Sequence, residues 1–359
     1  MMRGLRLGLN FLPTVGPKVT GAHDFYNQCM DLCVLGDRLG FSHVKAVEHY
    51  FCEWGGYSPD PIAFLSAVAM KTSRVRLVTG AVVPAFTHPI RLAASLSVLD
   101  NLSGGRLDAG FARGFLPSEF EAFGVPMAQS RARFEEGIEA VRRLWCDEQF
   151  RWEGTFHQFG PLPPLLPRPM QEPCPPIFVA ATISPESFEW AGRHGYQLMI
   201  IPVVASHEHL ADLLIHYRDA RAAAGHLSAP RMHVSYQCYV AEREDEAVER
   251  AAAHYAAYRD LQIEAYSSWD GVESAAYPGY QRMLDAVRST QFERLHEDDK
   301  VIVGDVDGTI EKLLGVGRRY PGAEISLHVR YGNIPQAEAV RTVTLLGEQV
   351  LPRLAGVDR

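Results

Sequence analysis

Asn10, Glu48, His49, His88, Arg113, Glu119, Ser184 and Arg330 each stand where a short apolar run of the chain ends. Glutamate, arginine and histidine are costly to bury unpaired, so several of them meeting on one face imply a wet cleft or a charged ligand. Taken singly, each reads more readily as a solvated loop residue. His49, within VKAVEHYFCEWGG, titrates near neutrality and suits a proton donor or acceptor, or a zinc ligand. Metal sites want three or four converging ligands, and neither HExxH nor a paired Cys/His spacing occurs, so no metal is expected. Arg113 follows the run AGFA, and Arg131 follows Ser130 at an expected helix start. Guanidinium groups and helix N-termini both favour phosphate. Ser130, Arg133 and Glu135 fit a capped helix with intrahelical charge pairs equally well. His23, His157, His194 and His226 fall in turns or at helix ends and read as surface residues.

Short apolar runs alternating with amphipathic segments must position these groups, the rhythm of repeated strand–helix units. Leu5 to Leu12 reads as a first strand, Asp24 to Leu39 as a helix stopped by Gly40, and SHVKAVEH as the next strand. Further units carry the strands VRLVTGAVV, RLDAGFA, PIFVAAT, QLMIIPV and Met232 to Val240, then KVIVG and EISLHVRYG. Residues 150–176, rich in proline and aromatics, read as an irregular insertion. About eight parallel-type strands with helical crossovers predict a closed (β/α)8 TIM barrel, one domain over residues 1–359, with function at the C-terminal strand ends.

With 35 basic and 43 acidic residues the net charge is -8, so a grip on nucleic acid has no electrostatic footing. The 47% hydrophobic and 22% charged content suits a chain that buries a large core. No apolar stretch nears the roughly 20 residues that span a bilayer. Six cysteines without paired spacing and an N-terminus without an apolar export segment predict a reducing, cytoplasmic setting. Phe11, Trp54, Tyr57, Phe86, Phe115 and Trp269 are expected at the barrel mouth, and imply a sizeable, largely apolar substrate.

The stretches GLNFLPT, LGFSHVKAVEHYFCEWG, TGAVVPAFTHPIRLA, LDNLSGGRLDAGFARGF, FEAFGVPMAQSRARFEE and ISPESFEWAGRHG occur in this order. Through them the chain resembles, over nearly its whole length, the bacterial luciferase-like flavin monooxygenases, especially the luciferase catalytic subunit. That family is a variant of the eight-stranded barrel with an insertion and a mobile lid, for which residues 261–297 are the candidate; an ordinary pair of surface helices is the alternative reading. The resemblance makes His49 the histidine that handles flavin peroxide and substrate, with Tyr50 where luciferase has a second histidine. It places a cis peptide against the isoalloxazine at Gly80 and Ala81, phosphate ligands at Arg113, Arg131, Ser184 and Ser187, an acidic residue near the flavin at Glu119, and a histidine of the cis-peptide loop at His88. Ala112 replaces the cysteine that lies beside the reactive flavin carbon in luciferase, so neither light emission nor a long-chain aldehyde substrate is carried over.

The implied activity is a two-component monooxygenase. It takes FMN as FMNH2 from a separate NAD(P)H:flavin reductase and uses O2, through a C4a-peroxyflavin, to epoxidise, hydroxylate or perform a Baeyer–Villiger oxygenation, as similar enzymes do in secondary-metabolite pathways. The absence of a nucleotide fingerprint fits flavin supplied from outside. Two rivals share the fold: hydride transfer with a deazaflavin coenzyme, and a non-catalytic partner like luciferase's second subunit. A homodimer is expected from the family, with Ile62, Leu65, Val68 and Ala69 either at that contact or packed on the barrel.

Overall fold

The computed structural model describes residues 5–356. Eight parallel strands close a barrel in the order β1 (Arg6–Phe11), β2 (His43–Ala46), β3 (Arg76–Thr79), β4 (Leu107–Phe111), β7 (Ile177–Ala180), β8 (Gln197–Ile200), β9 (Met232–Val240) and β11 (Glu324–His328), the last pairing back to β1. Closure is explicit in the register, with Arg6 opposite Glu324 on one side of β1 and Asn10 opposite Lys45 on the other. The KVIVG run is not a ninth stave. As β10 (Ile302–Gly304) it pairs only with Cys238–Val240, the part of the long β9 that overshoots the barrel. The insertion is less irregular than its prolines suggest: β5 (Phe150–Glu153) and β6 (Gln158–Leu162) form an antiparallel hairpin.

The crossover helices are α1 (Ala22–Leu39), α2 (Pro61–Ala69), α3 (Pro89–Ser103), α4 (Pro117–Ala122), α5 (Ser130–Cys146), α6 (Pro185–Arg193) and α7 (His207–Ala223). After β9 come α8 (Glu244–Tyr266), α9 (Tyr280–Ser289) and α10 (Phe292–Glu297), then α11 (Val306–Arg319), α12 (Gln336–Leu345) and α13 (Leu351–Gly356). Their ends follow local chemistry. Asp60 caps α2 by accepting from the Ala63 amide, while α1 stops at Gly40, whose φ of 89° is open to glycine at little cost. Leu65, Val68 and Ala69 of α2 are buried against the barrel, which is the second of the two roles considered for them. Among the described residues no helix is long and apolar enough to cross a membrane.

Outward-facing strand residues such as Leu7, Leu9, Val44 and Leu77 pack under the helices. The inward face is strongly polar at its N-terminal end. Asp108 takes paired hydrogen bonds from Arg231 at 2.8 and 2.6 Å and from Arg76 at 2.9 and 2.6 Å, and Glu324 accepts from Arg231 at 2.8 Å and Arg6 at 3.1 Å. His43 and His233 fill the space above, their ring centroids 4.5 Å apart, with His43 Nε2 2.7 Å from Ser326 Oγ. Burial would raise the Asp108 carboxyl, but the His233 ring 3.9 Å away and the hydrogen bonds from Arg76 and Arg231 outweigh it and hold it well below the usual range. Burial draws both imidazoles below their ordinary range. His43, His233 and Glu324 thus form a buried set of ligand-type groups. Arg6, Arg76 and Arg231 already pair with Glu324 and with the neighbouring Asp108, so the cluster works as an ionic plug in the barrel floor.

Removing one partner of a buried ion pair strands the other charges. Asp108→Ala is expected to cost roughly 3–5 kcal/mol in urea unfolding. A loss below about 1 kcal/mol, the level of an exposed pair, would show that the guanidiniums reach water instead.

Candidate active site

At the opposite, C-terminal end of the strands, Gly80, Ala112 and Ala180 are half-buried, and beneath them lie Val78, Phe178 and Met199, all buried. The Gly80–Ala81 peptide is cis. The segment is stitched to both neighbouring strands: the Gly80 amide donates to Ala46 O at 2.7 Å, Val82 to Gly110 O at 3.0 Å, and Ala112 to Val82 O at 2.8 Å. Glycine is required here, since a Cβ on residue 80 would stand 2.2 Å from Cγ of Lys45.

The loop after β2 carries Glu48, His49 and Tyr50. Glu119 of α4, 1% exposed, accepts from His49 Nδ1 at 3.0 Å and from the Tyr50 amide at 2.9 Å on one oxygen. That contact orients the imidazole and leaves Nε2 as its free nitrogen. Trp54 and Phe115 flank the ring at centroid distances of 4.7 and 6.0 Å. Gly55, with φ of 78°, leaves the space that the His49 side chain occupies. Glu48 turns the other way, accepting from the Val83 amide at 3.1 Å and the Tyr50 hydroxyl at 3.0 Å. Burial pushes its carboxyl up to about 8, against the pull of these two donors.

Arg131, at the start of α5, reaches across to the start of α6, with Ser184 Oγ at 3.4 Å and Glu186 at 3.1 Å. Its pairing with Glu135 at 3.8 Å is the intrahelical contact expected of a plain surface helix, so both readings of this arginine have geometry behind them. Ser184 precedes Pro185 and makes no side-chain cap, Ser187 follows in the first turn, and Ser130 Oγ is buried without a partner. Arg113 donates to Ala276 O at 2.5 Å and lies 3.9 Å from the Tyr277 ring centroid, while the Tyr277 hydroxyl donates to Gly114 O at 2.7 Å. Residues 267–280 of the candidate lid therefore lie on the mouth, with Trp269 and Tyr277 buried against Val83, Ala85 and Phe120.

The structure joins His49 to Glu119 and Arg131 to Ser184, and sets Gly80, Ala81, Ala112 and Arg113 at the neighbouring ends of β3 and β4 on the same face of the barrel. It does not bring in His88, which caps α3 and packs on His157 and Phe159 of the hairpin. Arg330 is likewise apart, bound to Gln28 and stacked over Phe25 of α1. A strand end points to the right face of a barrel but not to its centre. Phe11 packs outward on Phe64, and the Tyr57 hydroxyl bonds Thr20 O, so of the expected mouth aromatics Trp54, Phe86, Phe115 and Trp269 are at the mouth. Lys45 and Tyr277 were not singled out from sequence. A lysine within the short, fully buried-type strand run HVKAV was the available signal. A surface hollow of 490 Å³ lined by Glu189, Arg193, His216 and Asp219 shares no residue with this site.

Residues 5–320 match the family model of luciferase-like monooxygenases, and the chain belongs to that family. The oxygenase component of a flavin-dependent trigonelline monooxygenase from Acinetobacter baylyi is 34% identical over 224 residues, 62% of this chain and 61% of that protein's length. Monooxygenase RslO1 from Streptomyces bottropensis, a crystal structure, is 44% identical with a TM-score of 0.85, covering 97% of this chain and 99% of that one. The oxygenating constituent of 3,6-diketocamphane monooxygenase from Pseudomonas putida, solved with FMN, has a TM-score of 0.79 over 98% of this chain and 99% of its own, and at 20% identity shares the fold.

The raised Glu48 carboxyl makes stability depend on pH. The folded protein holds a proton the unfolded chain has released, so this contribution is full below the ordinary carboxylate range and is lost as pH rises through about 8. Glu48→Gln, which imitates the protonated form, should match wild type in urea unfolding at pH 5 and exceed it at pH 9 by on the order of 3 kcal/mol. Equal midpoints at pH 9 would show that Glu48 ionises without penalty.

Proposed function

We propose that this protein is the oxygenase component of a two-component flavin monooxygenase, binding FMN in its reduced form and adding one atom of O2 to a sizeable, largely apolar organic molecule. The observation that carries this reading is the oriented His49–Glu119 pair beside a floor of small and apolar residues, with Arg113 and Arg131 at one end. That combination suits a planar ring with a phosphorylated tail. A separate flavin reductase as supplier accords with the Acinetobacter relative's being an oxygenase component.

The residues present fit FMN. Asn10 Oδ1 and Ser130 Oγ are buried polar atoms without partners, and the floor is kept shallow by Gly80 and Ala112. Arg131, Ser184, Ser187 and the amides opening α6 would hold the phosphate, with Arg113 adding a second cation. Glu186, its side chain 77% exposed, now occupies Arg131 and is free to swing into solvent. Reduced FMN, when bound, supplies the electrons that activate dioxygen. His49 Nε2 donates or takes the proton that oxygen transfer requires, and Glu119 holds the ring in place for it. Trp54, Phe115, Trp269 and Tyr277 keep water out, and the segment around Tyr277 opens to admit the flavin. Epoxidation, hydroxylation and Baeyer–Villiger insertion are all within reach of this arrangement.

The reading is tested by anaerobic titration of the purified protein with reduced FMN, followed by stopped-flow mixing with oxygen. Wild type should bind reduced FMN and change its oxidation kinetics from those of free flavin. His49→Ala should bind alike and lose at least about a hundredfold in oxygenation rate, the usual weight of a general acid or base. Oxidation at the free-flavin rate, with a reduced deazaflavin coenzyme bound instead, would favour hydride transfer. Binding of neither would favour a non-catalytic partner. Arg131→Ala should weaken FMN binding by about ten- to a hundredfold, as expected for loss of a charged hydrogen bond, while riboflavin affinity stays unchanged. An equal loss for both would remove Arg131 from the phosphate site.

A further inference from the structure

Lys45 is 4% exposed, and the one polar partner recorded for its amine among the described residues is Ser235 Oγ on β9. The plug below pairs each arginine with a carboxylate, but among the described residues no carboxylate lies within ion-pair distance of Lys45. The stem runs directly under Gly80, the residue that opens the floor of the site. Asn10 is its register partner on β1, so both side chains project to the same side of the sheet, and Asn10 Oδ1 is buried and unpartnered. A cation and a free acceptor side by side beneath a half-open floor are costly unless a ligand completes them. The neighbouring imidazoles of His43, His233 and His328, each drawn below its ordinary range by burial, carry no negative charge that could offset the ammonium. Burial draws the Lys45 amine down to about 7, as expected of an ammonium with no counter-charge.

The required ligand edge carries an N–H donor next to a group that can become anionic. The imide edge of an isoalloxazine has this form: N3–H lies between two carbonyls, and N1 is neutral in the oxidised ring and negative in the reduced ring near neutral pH. We propose that Lys45 and Asn10 bind this edge, and that Lys45 makes the pocket select reduced over oxidised FMN. The inference rests on the flavin reading above and deepens it. A protein fed with reduced flavin by another enzyme needs such selectivity, because oxidised FMN would otherwise compete for the same pocket. Ser235 holds the amine in place until the flavin enters.

The test compares anaerobic dissociation constants of reduced and oxidised FMN for wild type, Lys45→Met and Lys45→Arg, with the two-electron potential of bound FMN as a second readout. Lys45→Met should lower the preference for reduced flavin by about tenfold, equivalent to about 30 mV in a two-electron couple, with little change for oxidised FMN. Lys45→Arg should keep most of the preference. On the unmodified protein, NMR of the labelled lysine amine should show its titration moving upward when reduced FMN binds. That measurement decides the matter if the Met variant fails to fold. An unchanged affinity ratio in Lys45→Met, or an amine titration unmoved by reduced FMN, would overturn the assignment while leaving the flavin reading intact. Failure of wild type to bind FMN in either state would overturn both.

Discussion

A barrel interior must be filled, and this one is filled at its base by charge. Asp108 sits among Arg76, Arg231 and His233, and Glu324 joins Arg231 to Arg6, so five staves of the barrel are bound through side chains as well as through the backbone. Such a plug gains little over a well-packed apolar core, because desolvation consumes most of the Coulomb energy. What it supplies is geometry: each guanidinium fork accepts only one placement of its carboxylates, which fixes the strands relative to one another. The strand ends where the candidate site lies inherit that placement.

The same plug explains what the sequence could and could not reveal. The outward faces of the strands carry leucine, valine and phenylalanine, and the helices announce themselves by period and by stops such as Gly40, so the barrel was legible. The inward residues were not. HVKA and EISLH alternate polar with apolar residues, and RLVT opens with an arginine, which in an open sheet would mean one face in water. Only closure turns His43, Lys45, Arg76 and Glu324 toward each other. For the same reason a count of strands admitted KVIVG as a stave, although its partner is the overshooting end of β9. His88 and Arg330 stand at strand ends as His49 does, but a ring of eight ends spans the whole top of the barrel. Side-chain direction, which strand-end position does not carry, decides which of them meet.

The pieces of the site are coupled through the backbone. Glu48 holds the Val83 amide of the cis-peptide loop, and Glu119 holds both His49 and the Tyr50 amide. The floor, the imidazole and the loop between them therefore form one hydrogen-bonded unit spanning β2, β3 and α4. Glu48 and His49 divide the work because successive residues point to opposite sides: Glu48 ties backbone together, and His49 is left facing the aromatic wall.

The segment over the mouth is held differently. Arg113 to Ala276, Tyr277 to Gly114 and Thr182 to Tyr280 are among its polar ties to the barrel, and the first two place a phosphate-site candidate in the grip of the segment that covers it. A phosphate arriving at Arg113 would compete with a neutral carbonyl and an aromatic face for the guanidinium, and a charged hydrogen bond is the stronger of these contacts. Loading of an anionic ligand and release of the cover would then be one event. The unit of Glu48, His49 and Glu119 takes no part in these three ties, so such an exchange would leave its hydrogen bonds intact.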